Sequence, residues 1–174
     1  MECLDLIDEN GNLTGEIASR KDVHKLGLLH HASGLIICGG GRILSQQRSF
    51  RKEKNAGLWD MSASGHVQSG QGLIESLLRE VKEELDLDIK EEELKLLGKF
   101  WRHEVHRSDF IENELDYIYI LEKDVDINKI KVQKEEVEQV AWISFSKFKE
   151  MLENGEAVSR VGVWDALFEY MEKE

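Results

Sequence analysis

The chain has 174 residues, 41% of them hydrophobic, which suits one domain over residues 1–174 with a buried core. Its 23 basic and 35 acidic side chains leave a net charge of -12, which argues against nucleic acid as the main partner. No apolar run approaches the roughly 18 residues that a membrane span needs, and the acidic start is unlike a signal peptide. We therefore expect a cytoplasmic protein that engages neither nucleic acid nor membrane, with Cys3 and Cys38 reduced.

The first predicted element is a hairpin. CLDLID alternates, ENGN marks a turn, and LTGEIASR continues as a second strand. A short helix in RKDVHKLG, ending at Gly27, precedes two extended runs around a glycine turn, GLIIC and RILSQQR. Extended chain resumes through GLWDMSASGHV. The first third of the chain is therefore predicted to be mainly strand.

Helix and strand alternate in the rest of the chain. Apolar residues recur every three or four positions over Leu73–Leu85, which predicts an amphipathic helix. Strands are predicted in LKLLGKFWRHEV, ELDYIYILEKD and VEQVAWIS, and helices in FSKFKEMLENG, stopping near Gly155, and VGVWDALFEYMEK. Three tryptophans in these elements are assigned to the core: Trp101, Trp142 and Trp164. The interleaving favours an α+β fold with a mixed sheet covered by helices.

The predicted helix over 73–85 carries carboxylates one turn apart. Glu80 and Glu84 are four residues apart and Glu83 is close beside them, just off the edge of the apolar stripe. Like charges at this spacing destabilise a helix by roughly 0.2–0.5 kcal/mol a pair. A hard cation such as Mg²⁺ would reverse that penalty. A solvated acidic face gives the same pattern, so the helix alone leaves both interpretations open.

The longer stretch GHVQSGQGLIESLLREVKEELDL resembles the Nudix box, G-x5-E-x7-R-E-U-x-E-E-x-G-U, where U is a bulky aliphatic residue. The matching positions are Gly65, Arg79, Glu80, Val81, Glu83, Glu84 and Leu87. The resemblance implies an α/β/α sandwich with a mixed central sheet and a box over about 65–87. It also implies a MutT-like pyrophosphohydrolase that uses Mg²⁺, with Mn²⁺ as an alternative. The implied metal ligands are Gly65, Glu80, Glu83 and Glu84, and the implied catalytic residues include Arg79, Glu83 and Glu84.

Two positions depart from the box. Gln71 stands where the box has its first Glu, and Asp86 where it has its later Gly. The first Glu is a secondary element of the motif, so we expect weaker or altered catalysis rather than none. Asp tolerates left-handed backbone better than most residues, so Asp86 is expected to change only how the helix ends.

The chain is also similar, over most of its length, to type I isopentenyl diphosphate isomerases. The likeness covers DENGNLTG, QQRSFRK, GLWDMSASGHV and ENE. The comparison implies that Arg48 and Lys52 hold a substrate diphosphate, and with Arg51 and Lys54 they form the densest basic cluster of the chain. Such a cluster would offset the acidic net charge for an anionic substrate, whereas a solvated loop of mixed charge is the alternative.

The isomerase comparison further implies a second metal site. Its matching residues are His24, His30, His66, Glu112 and Glu114, with His31 as an alternative to His30. Imidazoles favour Zn²⁺ or Mn²⁺. Glu112 and Glu114 have a second interpretation, because Nudix hydrolases often take a catalytic base from outside the box; His103, Glu104 and His106 are weaker candidates for that role.

Ser64 decides between the two resemblances. The isomerases need a cysteine just before the Gly-His pair, and here Ser64 occupies that place. A serine hydroxyl is a poor acid without an activating base. We therefore expect hydrolysis of a diphosphate linkage in a small metabolite, with an isomerase and a non-catalytic diphosphate-binding module as alternatives. Nucleoside di- or triphosphates, nucleotide sugars, dinucleotides and prenyl diphosphates stay open as substrates, and so does a homodimer.

Overall fold

The structure, a computed structural model, describes residues 1–173, in which nine strands and four helices form. The strands are β1 (Cys3–Ile7), β2 (Leu13–Ser19), β3 (His30–Gly39), β4 (Arg42–Arg48), β5 (Trp59–Asp60), β6 (Ala63–His66), β7 (Lys95–Arg107), β8 (Phe110–Glu122) and β9 (Val137–Ser144). The helices are α1 (Arg20–Leu26), α2 (Leu73–Leu85), α3 (Phe145–Glu153) and α4 (Val163–Glu172). Each predicted element is present, and GLWDMSASGHV contains two short strands rather than one.

Strand β3 is the centre of a mixed sheet. It pairs parallel with β8, with Ala32 opposite Asp116, and antiparallel with β1, β4 and β6. Strand β7 extends the sheet beyond β8, while β5 and β9 pair with β4, and β2 pairs with β1. The predicted mixed sheet is confirmed.

Helices cover both faces of this sheet. On one face α2 packs Leu77 and Val81 against Leu35 and its neighbours. On the other face α3 and α4 pack Phe148 and Trp164 around the alternate residues of β3. Because β3 is buried on both sides, its residues 35–38 form a continuous apolar run rather than an alternating one. This is the predicted α/β/α sandwich.

The helix ends follow local sequence signals. The Ser19 hydroxyl accepts a hydrogen bond from the Asp22 backbone N–H at the start of α1, and Gly27 (φ 63°) ends that helix in the left-handed region. Asp86 ends α2 in the same conformation (φ 54°) and its N–H donates to the Lys82 carbonyl. The expectation that Asp86 alters only the helix end is consistent with this geometry.

The assignment of Trp101 to the core is wrong. Its side chain is 48% exposed, whereas Trp142 is half-buried and Trp164 is buried. In the described residues β7 is an edge strand paired with β8 alone, and Trp101 belongs to neither core cluster, whereas its neighbour Phe100 packs on the core beside Trp164. Cys3 and Cys38 are both free thiols. Across residues 1–173, no helix is long and apolar enough to span a membrane.

Candidate active site

A cavity of about 250 Å³ opens between the box helix α2, strands β6 and β8, and the loop after β4. Most of the side chains in its wall are charged, of both signs, and Ala32 and Ile118 are the apolar side chains among them. Most of the residues singled out from the sequence line it. The cavity is therefore suited to a polar, charged ligand rather than to a hydrocarbon.

The box carboxylates line this cavity. Glu84 is only 6% exposed, and its Oε2 accepts a hydrogen bond of 2.9 Å from the Gln46 amide. Burial raises the pKa of Glu84 to about 8 and also raises the pKa of Glu80. Glu83 is exposed at the rim, where Arg79 donates to it (3.0 Å) and to Glu80 (2.7 Å). A divalent cation would favour the ionised form of the buried pair, so these carboxylates fit a metal site.

Gly65 lies directly against Glu80. A Cβ placed on Gly65 would come within 2.5 Å of the Glu80 Cγ and Cδ. Only glycine allows this approach, because real Cβ contacts do not occur below about 3.0 Å. The Gly65 backbone and the Glu80 side chain are therefore in close contact, so the two residues that the box comparison implies as metal ligands are neighbours.

Gln71, which stands in place of the first Glu of the box, makes hydrogen bonds of its own. Its Oε1 accepts hydrogen bonds from the Ser76 hydroxyl (2.8 Å) and from Arg79 Nε (3.4 Å). Gln71 is not among the residues that line the cavity. The neutral amide of Gln71 thus still orients Arg79. Compared with the Glu of the box, Gln71 removes a charge next to Arg79, outside the cavity wall.

Three histidines and a glutamate form a buried cluster next to the box. The ligand atoms of His24, His30, His66 and Glu114 all lie within 4.8 Å of one another. Helix α1 supplies His24, and the parallel register of β3 and β8 places His30 opposite Glu114. His31 lies outside this group, with its Nε2 near the Gly11 carbonyl (3.1 Å). The position left uncertain between His30 and His31 thus belongs to His30.

The orientation of the imidazoles suits metal binding. Nδ1 of His24 and Nδ1 of His30 each lie 2.9 Å from a backbone carbonyl, of Arg20 and Leu28. A carbonyl can only accept, so these Nδ1 atoms carry the hydrogen and Nε2 keeps its lone pair. In the described chain, His24 Nε2, His30 Nε2 and Glu114 Oε1 are buried without hydrogen-bond partners. Unpaired buried lone pairs that converge on one point fit a divalent cation.

Glu112 lies in a neighbouring group rather than in this cluster. Its carboxylate accepts from His106 Nε2 (2.8 Å) and Arg102 Nη2 (3.0 Å) and forms an ion pair with Lys54. Glu104 stands beside them as an Arg102 partner. Glu112 is thus paired with cations, whereas Glu114 alone of the two carboxylates converges on the histidines.

The predicted basic cluster is divided by the fold. Arg48, Lys52 and Lys54 line the cavity, whereas Arg51 is exposed and is not among the lining residues. Lys52 pairs with Glu136 at the cavity wall. Burial lowers the pKa of Lys54 to about 7. Three of the four cations are therefore placed where an anionic substrate could meet them, and the role suggested for Arg51 has no contact to support it.

Several cavity residues were not found from the sequence: Gln46, Arg102, Asp116, Glu136 and Arg160. Asp116 could have been predicted from the sequence, because it follows Glu112 and Glu114 at two-residue steps and so shares their face of β8. Arg102 requires the β7–β8 register, which places it opposite Glu114. Arg160 precedes α4 and carries no local signal.

Burial of His24 predicts a pH dependence of stability. Burial lowers the pKa of His24 to about 4, whereas an unfolded histidine titrates near 6.5. The unfolded chain then binds more protons between these values, so the free energy of unfolding of the metal-free protein should fall as the pH drops from about 6.5 to about 4. Denaturant titrations of the wild type and His24→Gln should show a flatter dependence in the variant, while His103→Gln, at an exposed site, serves as control. An equally steep dependence in His24→Gln would contradict the assignment.

A helix-borne carboxylate motif set into a charged cavity, on a mixed sheet between helical layers, agrees with the Nudix resemblance of the sequence. The NUDIX domain model matches residues 28–161, and the chain belongs to the Nudix family. The chain is thus an enzyme of the Nudix pyrophosphohydrolase type.

Individual relatives agree with this family and carry two kinds of name. The chain is 31% identical to an isopentenyl-diphosphate Delta-isomerase 2 of Photorhabdus laumondii, over 92% of this chain and 87% of that one. It is 32% identical to an uncharacterized Nudix hydrolase of Clostridium acetobutylicum, over 88% and 75% of the two chains. A crystal structure from Deinococcus radiodurans matches with a TM-score of 0.71 at 20% identity, over 91% and 93%, and supports the fold.

Proposed function

We propose that the protein is a Mg²⁺-dependent hydrolase that cleaves a diphosphate linkage in a small phosphorylated metabolite. The observation that carries the proposal is one cavity that joins the box carboxylates Glu80 and Glu84 to the cations Arg48 and Lys52. Carboxylates that hold a cation and guanidinium groups that hold phosphate are the two parts that phosphoryl transfer needs.

The residues divide the work as follows. Glu80, Glu84 and the Gly65 carbonyl would hold the metal ion, with Glu83 assisting at the rim. When bound, the ion lowers the pKa of a water and neutralises charge on the phosphate oxygens. Arg79 holds Glu80 and Glu83 in position through its hydrogen bonds.

Arg48 and Lys52 would bind the terminal phosphate, and a carboxylate outside the box would accept the proton of the attacking water. Glu112 and Glu114 are the two candidates for this role: Glu112 is paired with Lys54, Arg102 and His106, and the Glu114 Oε1 lies 3.5 Å from His30 Nε2 and 3.4 Å from His66 Nε2. The cluster of His24, His30, His66 and Glu114 would hold a second divalent cation beside the first.

The second candidate function is isopentenyl diphosphate isomerisation. The histidine cluster and the Photorhabdus relative favour it. Two features oppose it. The first is that the group beside the Ser64 hydroxyl is a guanidinium, with Arg160 Nη2 at 3.5 Å, and not a base that could activate the hydroxyl. Protonation of an alkene also creates positive charge, which a neighbouring guanidinium destabilises.

The test is release of phosphate or pyrophosphate from a panel of nucleoside di- and triphosphates, nucleotide sugars, dinucleotides and prenyl diphosphates. We expect turnover with Mg²⁺ or Mn²⁺ and none with EDTA. Isomerisation of isopentenyl diphosphate, followed by its product, is measured in parallel. No release from any compound together with isomerisation would assign the chain to the second function, and metal-independent binding without turnover would make it a binding module.

A further inference from the structure

The guanidinium group of Arg160 lies in the wall of the cavity, at the end that adjoins the core under α4. Arg160 belongs to the segment between α3 and α4, and its side chain is 7% exposed. Ile118 lines the same cavity and is part of the core cluster that contains Trp164. This end of the cavity is therefore closed by packed side chains.

One carboxylate holds Arg160 in place and leaves part of its guanidinium unused. Arg160 Nε and Nη2 donate to the two Asp60 oxygens at 2.8 and 2.7 Å, a bidentate pair. Nη1 is 3.9 Å from Asp116 Oδ2, too far for a hydrogen bond. Within residues 1–173, Arg160 Nη1 thus donates no hydrogen bond to another side chain, and its donors are available to the cavity.

Arg48 shares the same carboxylate. Its Nη1 lies 3.8 Å from Asp60 Oδ2, again beyond hydrogen-bond distance, and its side chain is mostly buried at the cavity wall. Asp60 therefore fixes one guanidinium by hydrogen bonds and attracts the other. Arg48 Nη2 lies 3.5 Å from the Lys54 carbonyl and Arg48 Nε is fully buried, so in the described residues Arg48 Nη1 and Arg160 Nη1 are the terminal donors without a hydrogen bond. Two guanidinium nitrogens of this kind in one cavity wall suit an oxyanion.

Anchoring of the segment before α4 is the simpler explanation of Arg160. The backbone already anchors that segment, however, because Trp59 N–H donates to the Glu156 carbonyl (3.0 Å) and Val158 N–H to the Trp59 carbonyl (2.8 Å). A buried ion pair is a weak source of stability compared with apolar packing. Anchoring therefore does not require a guanidinium whose free face points into the cavity.

We propose that Arg160 and Arg48, placed by Asp60, form the subsite for a terminal phosphate and so determine substrate class. This inference rests on the proposed function. A terminal phosphate offers three oxygens to two guanidinium groups, whereas a phosphate esterified on both sides offers two and needs room for a second organic group. The substrates expected are compounds that end in a free diphosphate.

The first experiment measures binding of imidodiphosphate, a non-hydrolysable diphosphate, by calorimetry with Mg²⁺. Arg160→Gln should weaken binding about 10- to 100-fold, the range of a charge-assisted hydrogen bond. Arg160→Lys keeps a cation beside Asp60 but loses the bidentate pair and the guanidinium face toward the cavity, so it should also bind more weakly; its thermal midpoint is measured in parallel and binding is compared well below it. Arg42→Lys, at an exposed ion pair with Asp124, is the matched control and should bind as the wild type does.

A purely structural role gives a different result. In that case Arg160→Lys binds imidodiphosphate as tightly as the wild type, and this outcome overturns the proposal even if Arg160→Gln fails to fold. Because binding is measured without turnover, the result is independent of whether the hydrolase reaction itself is found.

The second experiment compares a nucleoside diphosphate with a nucleotide sugar of the same nucleoside. The wild type should have the higher kcat/KM for the nucleoside diphosphate, and Arg160→Lys should lower that value by a larger factor than the value for the nucleotide sugar. Equal factors for both compounds, or a wild-type preference for the nucleotide sugar, would overturn the assignment of substrate class. Absence of turnover with every compound of the panel would instead contradict the proposed function.

Discussion

Replacing Glu84 by glutamine should reduce turnover by roughly 10³-fold or more, since a bound metal ion contributes several kcal/mol to phosphoryl transfer. The substitution keeps the size of the side chain and an oxygen that can accept from Gln46, but removes the charge that would bind the cation. The loss should appear mainly in kcat, and the apparent affinity for Mg²⁺ should fall with it. Phosphate release measured over a range of Mg²⁺ concentrations tests both.

The same variant should be more stable than the wild type when metal is absent. Burial raises the pKa of Glu84 to about 8, above the value near 4.3 of an unfolded glutamate. The folded protein then loses stability as the pH rises from about 4.5 to about 8, because the unfolded chain releases the proton first. The neutral amide avoids this loss, so in EDTA at pH 8 the thermal midpoint of Glu84→Gln should exceed that of the wild type.

Glu75→Gln is the matched control for these two results. Glu75 lies on the same helix and is exposed, outside the cavity wall, where its carboxylate accepts from the Gly72 N–H. Glutamine can make the same capping contact. The control should keep wild-type turnover and stability. Full activity in Glu84→Gln would remove Glu84 from the proposed metal ligands.

Gly65→Ala should lower activity by about 10- to 100-fold, the cost of moving catalytic groups by about 1 Å. The new methyl group would lie 2.5 Å from the Glu80 carboxylate carbon, so Glu80 or strand β6 must move. Because the displaced group is a proposed metal ligand, the KM for Mg²⁺ should rise more than the KM for the substrate. Steady-state kinetics at saturating substrate with varied Mg²⁺ measures this difference.

Gly72→Ala makes the same change where there is space. A Cβ on Gly72 would meet only the Glu75 Cβ, at 4.0 Å, and the backbone there is extended (φ -75°). This variant should retain activity within about twofold, because surface substitutions of this kind change stability by about 0.5 kcal/mol or less. Equal losses in both variants would point to general damage around the box instead of a contact with Glu80.

The two proposed metal sites are joined by adjacent residues of β6. Gly65 faces Glu80, and the next residue, His66, belongs to the histidine cluster. A shift of β6 would alter both sites together. The Gly65→Ala variant should therefore weaken metal binding at the histidines as well as at Glu80.

The amino-acid sequence by itself determined the local features of this protein. The periodicity of Leu73–Leu85 matches helix α2 residue for residue, and Gly27 and Asp86 end their helices as the sequence indicates. The placement of Glu80 and Glu84 one turn apart on the same side of the helix was also predictable, because a helix fixes the positions of residues four apart. These features depend on interactions within a few residues, which short segments encode.

Tertiary structure decided which distant residues meet. His24, His30 and Glu114 converge because α1 packs beside β8 and because β3 and β8 pair in one particular register, and a one-residue slip would turn alternate side chains to the other face. The same holds for Arg160, which reaches Asp60 across 100 residues, and for Trp101, which is exposed while the next residue back, Phe100, packs on the core. The sum of packing over the whole sheet sets strand register, so no local pattern carries it.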